Sequence, residues 1–133
     1  TMADHADADL ILKLYDLRRE EVCRQARAWF AAWKPDAADV TAVQSNAKPQ
    51  ENAYLRQATS YWEMAFSIAN AGVVDPTLFA KNCGEGIFFA IKCQRLGGQF
   101  GEAFPRRMAE AEAFIAGNAL AKDKAAMFRK RLG

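Results

Sequence analysis

No glycine or proline occurs in the first 34 residues of this 133-residue chain, and that unbroken run constrains its fold more than any other feature. Gly and Pro are the residues that stop helices. Without them, apolar residues at three- and four-residue spacing continue a single amphipathic helix. Leu10, Leu14 and Leu17 open such a stripe. Ile11, Tyr15, Val22, Ala26, Trp29 and Trp33 carry it on at a slightly rotated angle. The pattern predicts a helix over residues 4–33, ~40 Å long at the helical rise. Lys34-Pro35 ends it, because the residue before proline is pushed out of the helical region. Glu20 and Arg24 are spaced for an i,i+4 ion pair with the acid first.

The same punctuation divides the rest of the chain. A short helix over 36–45 has Asp36 or Asp39 as its cap and Val40 and Val43 as its anchors. A second long helix is expected over 49–71. Its apolar residues, among them Leu55, Ala58, Tyr61, Trp62, Ala65 and Phe66, cover about 160° of the helical wheel, which places it centrally. Gly72 suits the left-handed residue after a helix end. Asp75-Pro76 reads as an N-cap followed by proline at the first helical position. A third long helix over 76–96 follows, with Gly97-Gly98 as its stop. Pro105 opens a helix over 104–116, Gly117-Asn118 breaks it, and 119–131 has helical composition. Alanine supplies 27 residues, while Val, Ile and Thr together supply 14, so strand formers are scarce. The expectation is a single all-α domain over 1–133, a bundle of three long helices (4–33, 49–71, 76–96) with short helices beside them.

Counts narrow the chemistry. The chain has one histidine, His5, in the N-terminal region, which removes most histidine-based catalysis and metal sites. Cys23, Cys83 and Cys93 lack Cys-x-x-Cys spacing and read as free buried thiols of a reducing compartment. That usage, with no secretory signal at the N-terminus, points to the cytoplasm. No run of 18 apolar residues exists to span a membrane. The net charge of +2 is too small to demand a nucleic-acid partner. Lys122 to Arg131 form a weakly basic tail that reads as a solvated terminal helix.

A few residues invite a functional reading. Arg18 falls on the apolar side of the first helix. There its guanidinium would either receive an anion or partner carboxylate, or pack its stem on the core and pair within the bundle. Glu63 lies on the polar face of the second helix, as an exposed carboxylate or a contact to another subunit. Glu85 follows Lys81 by four residues and reads as its ion-pair partner. An acid–base pair of Glu63 and Glu85 across adjacent helices has no support in spacing. Asn82 falls among Phe79, Cys83 and Phe89 on an inner face, where a buried amide needs a hydrogen bond. Gly84 and Gly86 weaken a helix interior. They imply a close helix approach, room for Trp29 or Trp62, or a ligand notch beside Asn82. The aromatic set of Trp29, Trp33, Tyr54, Tyr61 and Trp62 reads as core. No catalytic, metal or cofactor constellation emerges.

Several stretches together resemble a known family. They are Leu14-Tyr15-Asp16-Leu17-Arg18-Arg19-Glu20-Glu21-Val22, Trp29-Phe30 and Tyr61-Trp62-Glu63-Met64-Ala65, then Asn70-Ala71-Gly72 and Asp75-Pro76-Thr77-Leu78-Phe79. The family comprises small bacterial proteins described only as a domain of unknown function. The likeness spans about residues 10 to 96 and is most specific at Tyr-Trp-Glu-Met followed by Gly-x-x-Asp-Pro. It implies an all-helical protein without assigned catalysis and transfers no site residues. The expected role is a non-enzymatic protein-interaction module, self-associating as a homodimer or binding a protein partner. The alternative is a small-molecule binder with a notch near Asn82, Gly86 and the tryptophans.

Overall fold

The computed structural model describes residues 2–133. Eight α-helices and a single 3-10 turn at Gly101–Ala103 make up the regular structure, with no strand among the described residues. They are α1 (His5–Arg18), α2 (Glu21–Ala32), α3 (Ala37–Gln44), α4 (Pro49–Asn70), α5 (Pro76–Asn82), α6 (Gly84–Phe100), α7 (Ala109–Ala116) and α8 (Ala119–Leu132). The all-α expectation holds. So do the local start and stop signals at Asp36, Gly72 and Asp75. The Asp36 carboxylate accepts from the Asp39 N–H at 2.8 Å. Gly72 takes φ +82° just past α4. The Asp75 side chain accepts from the Leu78 N–H at 2.8 Å.

Two of the three expected long helices are each divided in two. The helix expected over 4–33 breaks at Arg19-Glu20. Glu20 adopts an extended ψ of 143°, and its carboxylate accepts from the N–H groups of Val22 and Cys23. Those two bonds hold the carboxyl below its usual range and make Glu20 the cap of α2. The helix expected over 76–96 breaks at Cys83 (φ −120°, ψ 37°). Gly97-Gly98 does not end it. The second half runs on to Phe100, and Gly101 at φ +59° closes it. Pro105 does not open a helix either. The chain stays irregular until Met108, which takes a left-handed φ of +65° immediately before α7.

The core is aromatic. Phe30, Trp62, Phe66, Phe79, Phe89 and Phe104 are fully buried, and α4 packs between α2, α3 and α7 as its breadth of apolar surface requires. Helices α5, α6 and α7 close around α8. Full burial of each large side chain is worth roughly 1.5–3 kcal/mol, which outweighs the roughly 1 kcal/mol that each helical glycine of α6 costs. Gly86 has a packing reason. A Cβ there would stand 2.6 Å from both the Trp62 and Phe66 rings. Helix α1 contrasts with this. It rests mainly on α2 and α5 and fully buries only Leu14. No helix among the described residues is long and apolar enough to cross a membrane.

Candidate functional site

Trp62 organises the site, because three residues from two helices fix its indole. Gly86 of α6 lies against one part of the ring. The indole Nε1–H donates to Glu85 Oε1 at 3.1 Å. The Arg18 guanidinium, at the end of α1, sits 5.5 Å from the ring centroid and 4.6 Å from that of Tyr15. Glu85 in turn is gripped by Arg27 of α2 in a fork, with Nε to Oε1 at 2.5 Å and Nη2 to Oε2 at 2.9 Å. This bidentate bond raises the affinity of Arg27 for its proton. The remaining Arg27 nitrogen, Nη1, donates to the Arg18 carbonyl at 2.8 Å, so one guanidinium ties the end of α1 to the start of α6.

Beside this frame lies a cavity of about 270 Å³ between α1 and the α4–α5 surface. Ile11, Leu12, Leu14, Tyr15, Tyr61 and Trp62 form its apolar wall, with Arg18, Asn82 and Cys83 as its polar groups. The Tyr61 hydroxyl donates to the Leu14 carbonyl across the floor. Burial raises the affinity of that phenol for its proton, and burial also pushes the Cys83 thiol up to about 12. A thiol so placed stays protonated near neutral pH and is a poor nucleophile. Among the described residues, Arg18 has no carboxylate within 4 Å and donates no hydrogen bond. Its guanidinium is held by π faces alone.

The structure brings together four of the six residues singled out in the sequence, Arg18, Trp62, Asn82 and Glu85, and separates the other two. Trp29 belongs to a different cluster. It stacks on Trp33 at 4.8 Å and donates to Glu51 at 3.1 Å. Glu63 turns away from Glu85 and accepts from the N–H groups of Glu110 and Ala111 at 3.0–3.3 Å, capping α7. No Glu63–Glu85 acid–base pair exists, since each carboxylate is engaged in a different structural bond.

Three expectations for these residues are corrected. Asn82 is exposed and bonds the Leu78 carbonyl at 2.9 Å, because the break at Cys83 interrupts the helical phase that would have turned it inward. Glu85 pairs with Arg27 and not with Lys81. The notch at Gly86 is filled by Trp62 and Phe66, and the open space lies on the α1 side of the tryptophan. Arg27 was missed in the sequence. It carried no local signal, since its partner is 58 residues away.

The three cysteines are free and buried, as their spacing suggested. In the basic tail, Lys124 is engaged: its ammonium donates to the Ala80 and Lys81 carbonyls at 2.8 and 3.2 Å, finishing α5.

The model of a family described as Domain of unknown function (DUF4760) matches residues 3–97. This interval holds α1 to α5 and most of α6, and so the whole frame around Trp62. No curated protein and no solved structure matches the chain.

Proposed function

The chain belongs to the DUF4760 family, a domain of unknown function, and we propose that it is a non-enzymatic protein-interaction module that docks through α1. One observation carries the reading. From Leu17 round to Leu12, α1 presents apolar residues over about 220° of its circumference at 100° per residue, yet fully buries only Leu14. Leu12 is 62% exposed and Leu17 51%, and Tyr15, Val22 and Met64 stand exposed nearby in sequence or across the adjoining groove. A soluble surface keeps such residues scattered unless something covers them.

The partner assigned is a second copy. Asp9 lies in the first half of α1, and the exposed Arg19 follows its last residue. Two antiparallel copies meeting between Leu12 and Tyr15 would stack these two residues and set Asp9 of each copy near Arg19 of the other. The non-enzymatic part is supported by the state of the reactive side chains. The Cys83 and Cys93 thiols are both pushed up to about 12 by burial, and Glu63 and Glu85 are tied in structural bonds.

Sedimentation equilibrium from ten to several hundred micromolar tests this. The expected result is a concentration-dependent dimer that Leu12→Asp with Leu17→Asp converts to monomer, with unchanged helical circular dichroism. A wild-type chain that stays monomeric across that range overturns the docking assignment.

A further inference from the structure

The Arg18 cavity has two properties that self-association does not use. Its walls are aliphatic and aromatic, and its one cationic group has no protein carboxylate to neutralise it among the described residues. A guanidinium presents five N–H donors in a plane. Here the guanidinium carbon lies 4.6 Å from the Tyr15 ring centroid and 5.5 Å from that of Trp62, contacts that reduce the side-chain freedom to be lost when an anion binds. The brace is itself rigid. Trp62 is seated against Gly86 and pinned by Glu85, and Glu85 is pinned by Arg27. Glu85, the acid within this frame, has its charge consumed by the Arg27 fork. Arg18 is therefore left as the recognition element.

We infer that this cavity is a binding site for a small monocarboxylate with an apolar body, its carboxylate on the Arg18 guanidinium and its chain against Ile11, Leu14 and Trp62. A guanidinium suits a planar carboxylate, which can take two parallel N–H bonds. The apolar wall favours a hydrocarbon body over a sugar or a polyphosphate. Size sets the limit: at ~30 Å³ per water in the liquid, 270 Å³ holds about nine water-sized groups, close to the roughly ten non-hydrogen atoms of octanoate. The volume lies just below the roughly 300–1,000 Å³ of drug-sized ligand sites, so only a short chain is buried and the rest of a long one would project into solvent. The chemistry is capture, not conversion. Neither the Tyr61 hydroxyl nor the Cys83 thiol ionises near neutral pH to act on a bound acid.

The test titrates the full chain with sodium octanoate, with 1-octanol and with inorganic phosphate, following backbone and indole resonances by NMR. Octanoate is expected to shift Tyr15, Arg18, Tyr61, the Trp62 indole and Cys83 saturably. Octanol, which keeps the chain but not the charge, and phosphate, which keeps charge but not the chain, should each bind roughly tenfold or more weakly. Arg18→Gln should weaken octanoate by a similar factor, and Arg24→Gln should leave it unchanged. Equal affinity for octanol and octanoate, shifts centred elsewhere, or an unaffected Arg18→Gln overturns the assignment. The octanol comparison needs no variant, so it stands even if Arg18→Gln does not fold. It is also read in the Leu17→Asp single variant, whose substitution lies outside the cavity lining, with sedimentation of the same sample, so loss of self-association and loss of this site are told apart.

Discussion

At the residue scale, Gly86 shows how much one missing side chain sets. Its hydrogen lets Trp62 and Phe66 of α4 come against the backbone of α6, where a methyl group would stand 2.6 Å from each ring. Both rings are buried and cannot swing aside. Alanine improves helix propensity by up to about 1 kcal/mol, but overpacking at such a contact costs about 1–3 kcal/mol. We therefore expect Gly86→Ala to lower stability by about 1–2 kcal/mol in urea unfolding, and to weaken the Trp62–Glu85 bond seen at the indole proton. Equal or greater stability would mean that α4 and α6 can part at low cost. The sequence pointed to a close approach here, because a glycine inside a helix is otherwise a pure loss. It misplaced Asn82 because facing was counted along one continuous helix, and Cys83 resets the count.

At the scale of the element, helix ends divide into those capped from nearby in sequence and those capped from afar. Asp36, Asp75 and Asn118 cap their own helices three residues on, and such caps are readable as sequence. Three C-termini are instead completed by a cation from another helix. Arg27 donates to the end of α1, Lys92 to the Phe30 and Ala31 carbonyls of α2, and Lys124 to α5. Each adds a donor at carbonyls of a last helical turn, although the Phe30 carbonyl also accepts from the Trp33 N–H, and places positive charge at the negative end of the dipole. Glu63 does the converse for α7. Met108 has no side chain able to cap, so the carboxylate arrives from α4. Glu63→Ala is expected to cost about 1 kcal/mol and to speed hydrogen exchange at Glu110 and Ala111 selectively. Exchange that rises evenly through the protein would show that the cap does not hold α7 in particular. These distant caps complete the ends of α1, α2 and α5 and the late start of α7, none of which the local pattern revealed, while the start of α2 is capped locally by Glu20.

For the whole molecule, the buried Lys92 links stability to pH. The residue is 6% exposed, its ammonium lies 4.9 Å from the Phe30 ring centroid, and burial lowers its pKa from 10.5 to about 8. Between about pH 8 and 10.5 the unfolded chain binds a proton at this lysine that the folded chain has released. Stability from this group therefore rises with pH across that window. The thiols act in the opposite sense. Held protonated by burial when folded, they ionise on unfolding above about pH 9 and lower stability there. Comparison with Lys92→Met removes the shared thiol contribution. The wild-type unfolding free energy minus that of the variant should increase from pH 7 to 10.5 by up to about 3 kcal/mol. A difference that stays flat in urea titrations would show that Lys92 titrates as an exposed lysine.

The same division governs what was legible in the sequence. Helical class, the central place of α4, most of its aromatic core and the caps at Asp36 and Asp75 follow from periodicity and from residues three or four apart, where neighbours in sequence are neighbours in space. The Arg27–Glu85 fork, the cap from Glu63 and the cavity under Arg18 rest on partners 47 to 58 residues away, and the break at Cys83 changes the helical phase, to which no local pattern is sensitive. The Glu20 break is capped two and three residues on, but the apolar stripe that runs through it hid it. Arg18 itself stood out as a cation on an apolar face. Only the packing of α1 against Trp62 decided that it has aromatic faces beneath it, no carboxylate beside it, and an apolar cavity in front.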